Sequence, residues 1–373
     1  MEAVKENKDL KTQEYFVNMG PQHPSTHGVL RLMLGLDGEI ITSLKPHIGY
    51  VHRSIEKMCE YDSYRQIAHL TDRMDYLSSH MSNEAVSLLV ENALEIEVSD
   101  RVKVIRTIIA ELARISSHQL WWAATGMDLG ALTAFLYGFR DREMINDIFE
   151  ETVGARLTMN YNVPGGLMFD IHPNFQKRVK EFIEHFKTKL PEYDQLLSDN
   201  VIFRNRTEGI GVIDKETAIS YGLSGPTGRA SGVECDVRKA HPYSAYDRVE
   251  FKSIVLEEGD TFARYKARIL EMWESMHIIE QLIDNIPEGD IKAPTKALIK
   301  LPKGEFYQRV ETARGDFGVY VVSEGGKSPY RLKFRSPSFS NVFVLEEMAK
   351  GSKIADLVAM MATLDLVVPD IDR

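Results

Sequence analysis

Two cysteines, Cys59 and Cys235, are all that the 373 residues contain. So few exclude a disulfide framework and the four thiolates of an iron–sulfur cluster, and they make a reducing cytoplasm the natural compartment. The NRT sequon at 205–207 is then chemically idle. Long apolar runs are missing too. No window offers the ~20 apolar residues a membrane span needs, and the opening MEAVKENKDLKTQ lacks the apolar stretch of a signal peptide, so a soluble chain is expected. Positive charge is in deficit: 45 Lys and Arg against 55 Asp and Glu leave a net charge of −10, which argues against nucleic acid as a partner. Nucleotide loops are also absent. GGKS at 325–328 would need glycine where Val321 stands and a helix where Pro329 follows. GLSGPTGRASG at 222–232 lacks GxGxxG spacing behind a strand and reads as a flexible turn region.

What is present is apolar residue enough, 43% of the chain, for a large core. Residues 29–45 give two strand-like runs around Asp37-Gly38, a dipeptide suited to a tight hairpin turn. Helical periodicity follows at 79–97 and 99–125, the latter behind a Ser99 cap with Val102, Ile105, Ile109, Leu112 and Ile115 at three- and four-residue steps. That helix would be about 40 Å long. Further helical stretches at 131–153, 174–190 and 260–285 complete an antiparallel bundle, within which Trp121, Trp122 and the methionines are packing residues. Past 290 the pattern returns to strands, at 317–323 and 330–336 around EGGKSP. The expected fold is α+β in three parts. These are an N-terminal β-containing lobe (1–72), a helical core (73–290) with a long excursion at 191–259, and a C-terminal β-containing region (291–373).

NMGPQHPSTHG, residues 18–28, sets two histidines four apart, but Pro24 lies between them, and a helix interior loses about 3 kcal/mol to proline. The segment is a loop feeding the first hairpin. With it, GPQHPSTHGVLRL, PHIGYVHR, DRMDYLS, MDLGALT, DVRKAHPY, FGVYVVS and LVVPDIDR stand in the order found in one family. From about residue 14 to Arg373 the chain resembles the D subunits of proton-translocating NADH:quinone oxidoreductase, respiratory complex I. That family shares the fold of the nickel-iron hydrogenase large subunit, whose two Cys-x-x-Cys pairs hold the metal. Here those positions carry Asp75 and Ser78, and Val367 and Asp370. Without soft sulfur donors a hydrogenase centre has no ligands.

The resemblance implies that a quinone head group takes the vacated cavity. Two-electron reduction turns both quinone carbonyls into hydroxyls, so each oxygen needs a hydrogen-bond donor and a proton. His27 and Tyr76 match the family positions that supply them. Asp128, at the end of the long helix, matches the carboxylate partner of that histidine, where it would favour the imidazolium. The plainer alternative is that Asp128 helps end its helix, and that His23 shapes the loop. Electrons must come from outside the chain, and the resemblance implies an adjacent subunit with a terminal four-iron (4Fe-4S) cluster, near which Arg53 and Arg73 fall. No cofactor is expected on this chain alone. Other peripheral-arm subunits and a membrane-arm subunit at the quinone entrance are the further partners implied, with a peripheral location on the cytoplasmic side of the bacterial inner membrane. Two departures stand out: Thr158 replaces a histidine that could couple a proton to cluster reduction, and a helix-like segment is missing after 287–305. The competing function is a non-catalytic assembly scaffold that kept a metal-free hydrogenase fold.

Overall fold

The computed structural model describes residues 15–26 and 28–373. Helices lie at Ser79–Leu94, Asp100–Asp128, Leu132–Thr152, Phe175–Tyr193 and Thr261–Ile283, each where apolar periodicity predicts one. The Asp100–Asp128 helix is the axis of the bundle and packs against the Leu132–Thr152, Thr261–Ile283, Ser79–Leu94 and Ile354–Leu364 helices. Its start is set by Ser99, whose Oγ accepts the Val102 N–H at 3.3 Å. Its end is set by Gly130, which takes φ +87° while the Ala131 N–H closes on the Gly126 carbonyl at 2.7 Å. The left-handed Gly130 and this bond close the helix. Trp121 and Trp122 are buried as expected; Trp121 Nε1 donates to Ala362 O at 2.7 Å and Trp122 stacks on Tyr193.

The first sheet is antiparallel, Tyr15–Met19, Arg31–Asp37 and Ile40–His47 in order, with Gly38 at φ +63° turning the hairpin. Leu30, Leu32 and Leu34 face inward on alternate positions, and the core they enter is completed by Val342, Leu345, Leu357, Met360 and Ile371 from the far end of the chain. The second core holds the bundle together with the C-terminal sheet. That sheet has three strands: Gly304–Thr312, which apolar patterning did not mark because its first half alternates around half-buried residues, then Gly315–Ser323 and Arg331–Arg335. GGKS follows a strand and leads into another, so it is no phosphate loop.

The glycine-rich stretch differs from expectation. Gly225–Arg229 is a buried helical turn, and Gly225, at φ +65°, lies so close to the tip of the Thr312–Gly315 turn that a Cβ would stand 2.4 Å from Arg314 O. Glycine is there for close approach and left-handed backbone.

Candidate functional site

The segment DRMDYLS links the Tyr64–Thr71 helix to the Ser79–Leu94 helix. Asp75 shapes the link: its Oδ1 accepts the Leu77 N–H at 3.2 Å and its carbonyl accepts the Ser78 N–H at 3.1 Å. Its other oxygen, Oδ2, meets Arg314, whose Nη1 also lies 3.3 Å from Ser78 Oγ and 3.0 Å from Ser117 Oγ on the long helix. Arg314 Nη2 donates to Asp365 Oδ1 at 3.0 Å. A fully buried guanidinium thus occupies the space between the two positions of the first lost thiolate pair and the C-terminal helices. Asp370, from the second pair, is fully buried as well and accepts a hydrogen bond from Ser336 Oγ at 2.5 Å.

The remaining candidates gather around this knot to different degrees. Tyr76 is half-buried, and its phenol lies in the electrostatic field of Arg314, Asp75 and Asp365. Arg53 and Arg73 come together on the surface beside it: Arg53 Nη2 donates to Arg73 O at 2.7 Å, and Arg73 Nη1 to His69 O at 3.0 Å. The loop bearing Arg53 is held by the chain's end, because Asp372 accepts the Gly49 and Val51 N–H groups at 2.7 and 2.8 Å. His27 lies outside the described residues. Its neighbour Gly28, at φ +135°, abuts the same C-terminal segment, where a Cβ would meet Val368 Cγ2 at 3.2 Å. His23 shapes the loop, its Nδ1 accepting the Ser25 N–H at 3.2 Å. Asp128 is half-buried at the last residue of the long helix. It lies eleven residues beyond Ser117, hence on the same face and about 16 Å along the axis. The structure therefore does not bring Asp128 into the Arg314 knot. Thr158 sits in a loop pinned on both sides of it, since Ser79 Oγ donates to Leu157 O and accepts the Met159 N–H.

Arg314 pairs with Asp75 and Asp365 and lies in the field of Asp370, and Arg268 has its Nε 3.7 Å from Asp365 Oδ2. Burial and the neighbouring Asp75 push the Asp370 carboxyl up to about 6, and burial also holds Asp75 above the ordinary carboxylate range. The Tyr76 phenol is raised, mostly by burial. Burial lowers Arg268 to about 10, still a cation at neutral pH. A site of this kind does not suit nickel and iron: carboxylates and a serine are hard donors, and a guanidinium already fills the cation's place. Among the described residues no group of three or more His, Cys, Asp or Glu side chains could hold a metal ion.

Sequence reasoning missed Arg314 and Asp365. In TARGDFG the arginine looks like the exposed tip of a hairpin, and only the fold shows that tip driven inward past Gly225. A second buried knot was missed as well, in which Arg229 bonds Glu271 at 2.5 Å and Glu311 at 2.7 Å, while Arg238 bridges Asp236 and Glu111. A usable signal was Arg106, Glu111, Arg114 and His118 recurring within an otherwise apolar helix.

The family model described as "Respiratory-chain NADH dehydrogenase, 49 Kd subunit" matches residues 128–301 and 294–373. The C/D subunit of the NADH-quinone oxidoreductase of Bacteroides fragilis is 55% identical over 370 residues, covering 99% of this chain and 70% of that protein. The D subunit of the NADH-quinone oxidoreductase of Geobacter metallireducens is 46% identical over 387 residues, covering 97% and 99%. A chain from the membrane-bound sulfane sulfur reductase, an archaeal respiratory membrane complex, superposes with a TM-score of 0.93 at 36% identity, covering 98% of this chain and 100% of its own.

Proposed function

Because the chain belongs to the family of the respiratory-chain NADH dehydrogenase 49 kDa subunit and is a subunit of an NADH-quinone oxidoreductase, we propose that quinone is reduced beside its Arg314 knot. The observation that carries this is the position of Tyr76, half-buried next to Asp75 and in the field of Arg314 and Asp365, beside the positions where the resemblance puts Asp75, Ser78 and Asp370 in place of metal-binding thiolates. In this reading the Tyr76 hydroxyl donates to one quinone carbonyl, and His27, supported by Asp128, donates to the other. Asp128 serves the histidine loop and not the arginine, consistent with its distance along the helix. Electrons arrive from a terminal four-iron cluster in an adjacent subunit. Arg53 and Arg73, paired on the surface, face that subunit and stabilise the cluster's reduced, more negative state. No helix among the described residues is long and apolar enough to cross a membrane, so a peripheral place on the cytoplasmic side, next to a membrane-arm subunit through which quinone enters, fits the chain.

Tyr76→Phe tests the reading. It removes one oxygen and leaves the packing, so the complex should assemble and still pass electrons from NADH to an artificial acceptor upstream. Loss of a hydrogen bond of about 0.5–1.5 kcal/mol should slow quinone reduction by about 2- to 13-fold, more where the proton is also lost. An assembled variant with unchanged quinone kinetics would remove Tyr76 from the site and favour the scaffold reading for this region.

A further inference from the structure

Tyr76 is carried by the link at residues 75–78, and one side chain from far along the sequence holds both ends of that link. Arg314 Nη1 donates to Asp75 Oδ2 at 3.1 Å and lies 3.3 Å from Ser78 Oγ. Between these ends the link closes on itself, since Asp75 accepts the Leu77 N–H through Oδ1 and the Ser78 N–H through its carbonyl. The holder is itself held. Ser117 Oγ on the Asp100–Asp128 helix accepts from Arg314 Nη1 at 3.0 Å, and Asp365 Oδ1 accepts from Nη2 at 3.0 Å. One turn earlier on the same helix, Arg114 donates to Glu311 O and Thr312 O, both at 2.8 Å, so the hairpin tip that bears Arg314 is pinned as well. Glycine lets the tip in: a Cβ on Gly315, at φ +134°, would stand 2.5 Å from Ser224 Oγ.

We propose that Arg314 is a positioning residue for quinone reduction, fixing the link at 75–78 so that the Tyr76 hydroxyl is held in line with a quinone carbonyl. The inference rests on Tyr76 donating to quinone, as above, and adds what aims it. Aim matters because a hydrogen bond weakens steeply once its angle falls below about 120°. A forked guanidinium suits the task, since one planar group serves the link and the long helix with one nitrogen and the C-terminal segment with the other. The same cation opposes the effect of burial on the Tyr76 phenol and so favours donation as well as aim. Arg314 acts through Tyr76 and does not touch quinone.

The assay is a double-substitution cycle on NADH–quinone turnover by the assembled complex, with electron transfer from NADH to an artificial acceptor upstream as the control. Arg314→Gln removes the fork and the charge, so turnover should fall about as far as in Tyr76→Phe, about 2- to 13-fold, with the loss on kcat rather than on KM for quinone. With Tyr76→Phe already present, Arg314→Gln should cost less than about twofold more, because the hydroxyl it aims is gone. Arg314→Lys returns the cation and three donors, and turnover should recover towards wild type only where the Tyr76 hydroxyl is present. Ser117→Ala, a milder change, removes one seat of Arg314 and leaves its charge paired; it carries the same test if Arg314→Gln weakens assembly, and its smaller loss should also vanish in Tyr76→Phe. An equal cost with and without the Tyr76 hydroxyl, or wild-type turnover in Arg314→Gln, would overturn the positioning role, while a slowed Tyr76→Phe would leave the quinone site standing. Normal turnover in Tyr76→Phe would instead sink the site reading itself.

Discussion

Replacing Arg314 by methionine leaves a side chain of comparable length and removes the cation on which Asp75 and Asp365 depend. Its guanidinium makes hydrogen bonds to Asp75, Asp365, Ser78 and Ser117 in a fully buried setting. Breaking a buried pair on one side costs about 3–5 kcal/mol, mostly from the charge left behind. At about 2.1 cal/mol/K per residue, the melting entropy of 373 residues is about 0.8 kcal/mol/K, so Tm should fall by about 4–6 °C. The loss should depend on pH. Burial already holds Asp75 above its ordinary value, and without Arg314 it rises further. A carboxyl raised in the folded state contributes stability below its unfolded value near 4 and loses it as pH climbs through the folded value. The deficit should therefore be greatest at neutral pH and shrink on acidification. Thermal melting of the complex at about pH 7.5 and about pH 5.5, on either side of the expected rise, reads both effects. Adding Asp75→Asn should recover part of the loss, since the two substitutions act on one pair. A Tm within about 1 °C of wild type, or a deficit that grows on acidification, would refute the picture of Arg314 as the neutralising centre.

Asp128→Asn removes the charge proposed to keep His27 cationic while preserving shape, so quinone reduction should be lost first at the alkaline end of the profile. Combining it with His27→Ala should cost less than the two single losses together; simple additivity with an unmoved profile would return Asp128 to an incidental place at the helix end. Gly225→Ala, forced into a left-handed backbone and against Arg314 O, should cost about 1–3 kcal/mol or more and lower Tm, and a melt identical to wild type would show that the turn seating Arg314 can give way.

The elements that were legible in the sequence are those whose burial is one-sided and local. The long helix announces its start at Ser99 and its apolar stripe from Val102 to Ile115, and the first hairpin shows its turn at Gly38 and its alternating leucines. Those signals need only neighbours within a few residues. The strand Gly304–Thr312 was not legible, because it alternates weakly and gains its inner face only by pairing with the strand after it. Arg314 was still less so. Nothing near it in the chain distinguishes an arginine at an exposed hairpin tip from one driven into the interior; its partners stand 239, 197 and 51 residues away, at Asp75, Ser117 and Asp365. The loss of four thiolates could be read residue by residue. What filled the space could not, since a cation that compensates three carboxyls from separate segments is a property of the assembled fold. Asp370 shows the same division: its identity as a lost ligand is written at one position, while its raised carboxyl comes from burial and from Asp75, which only folding brings near.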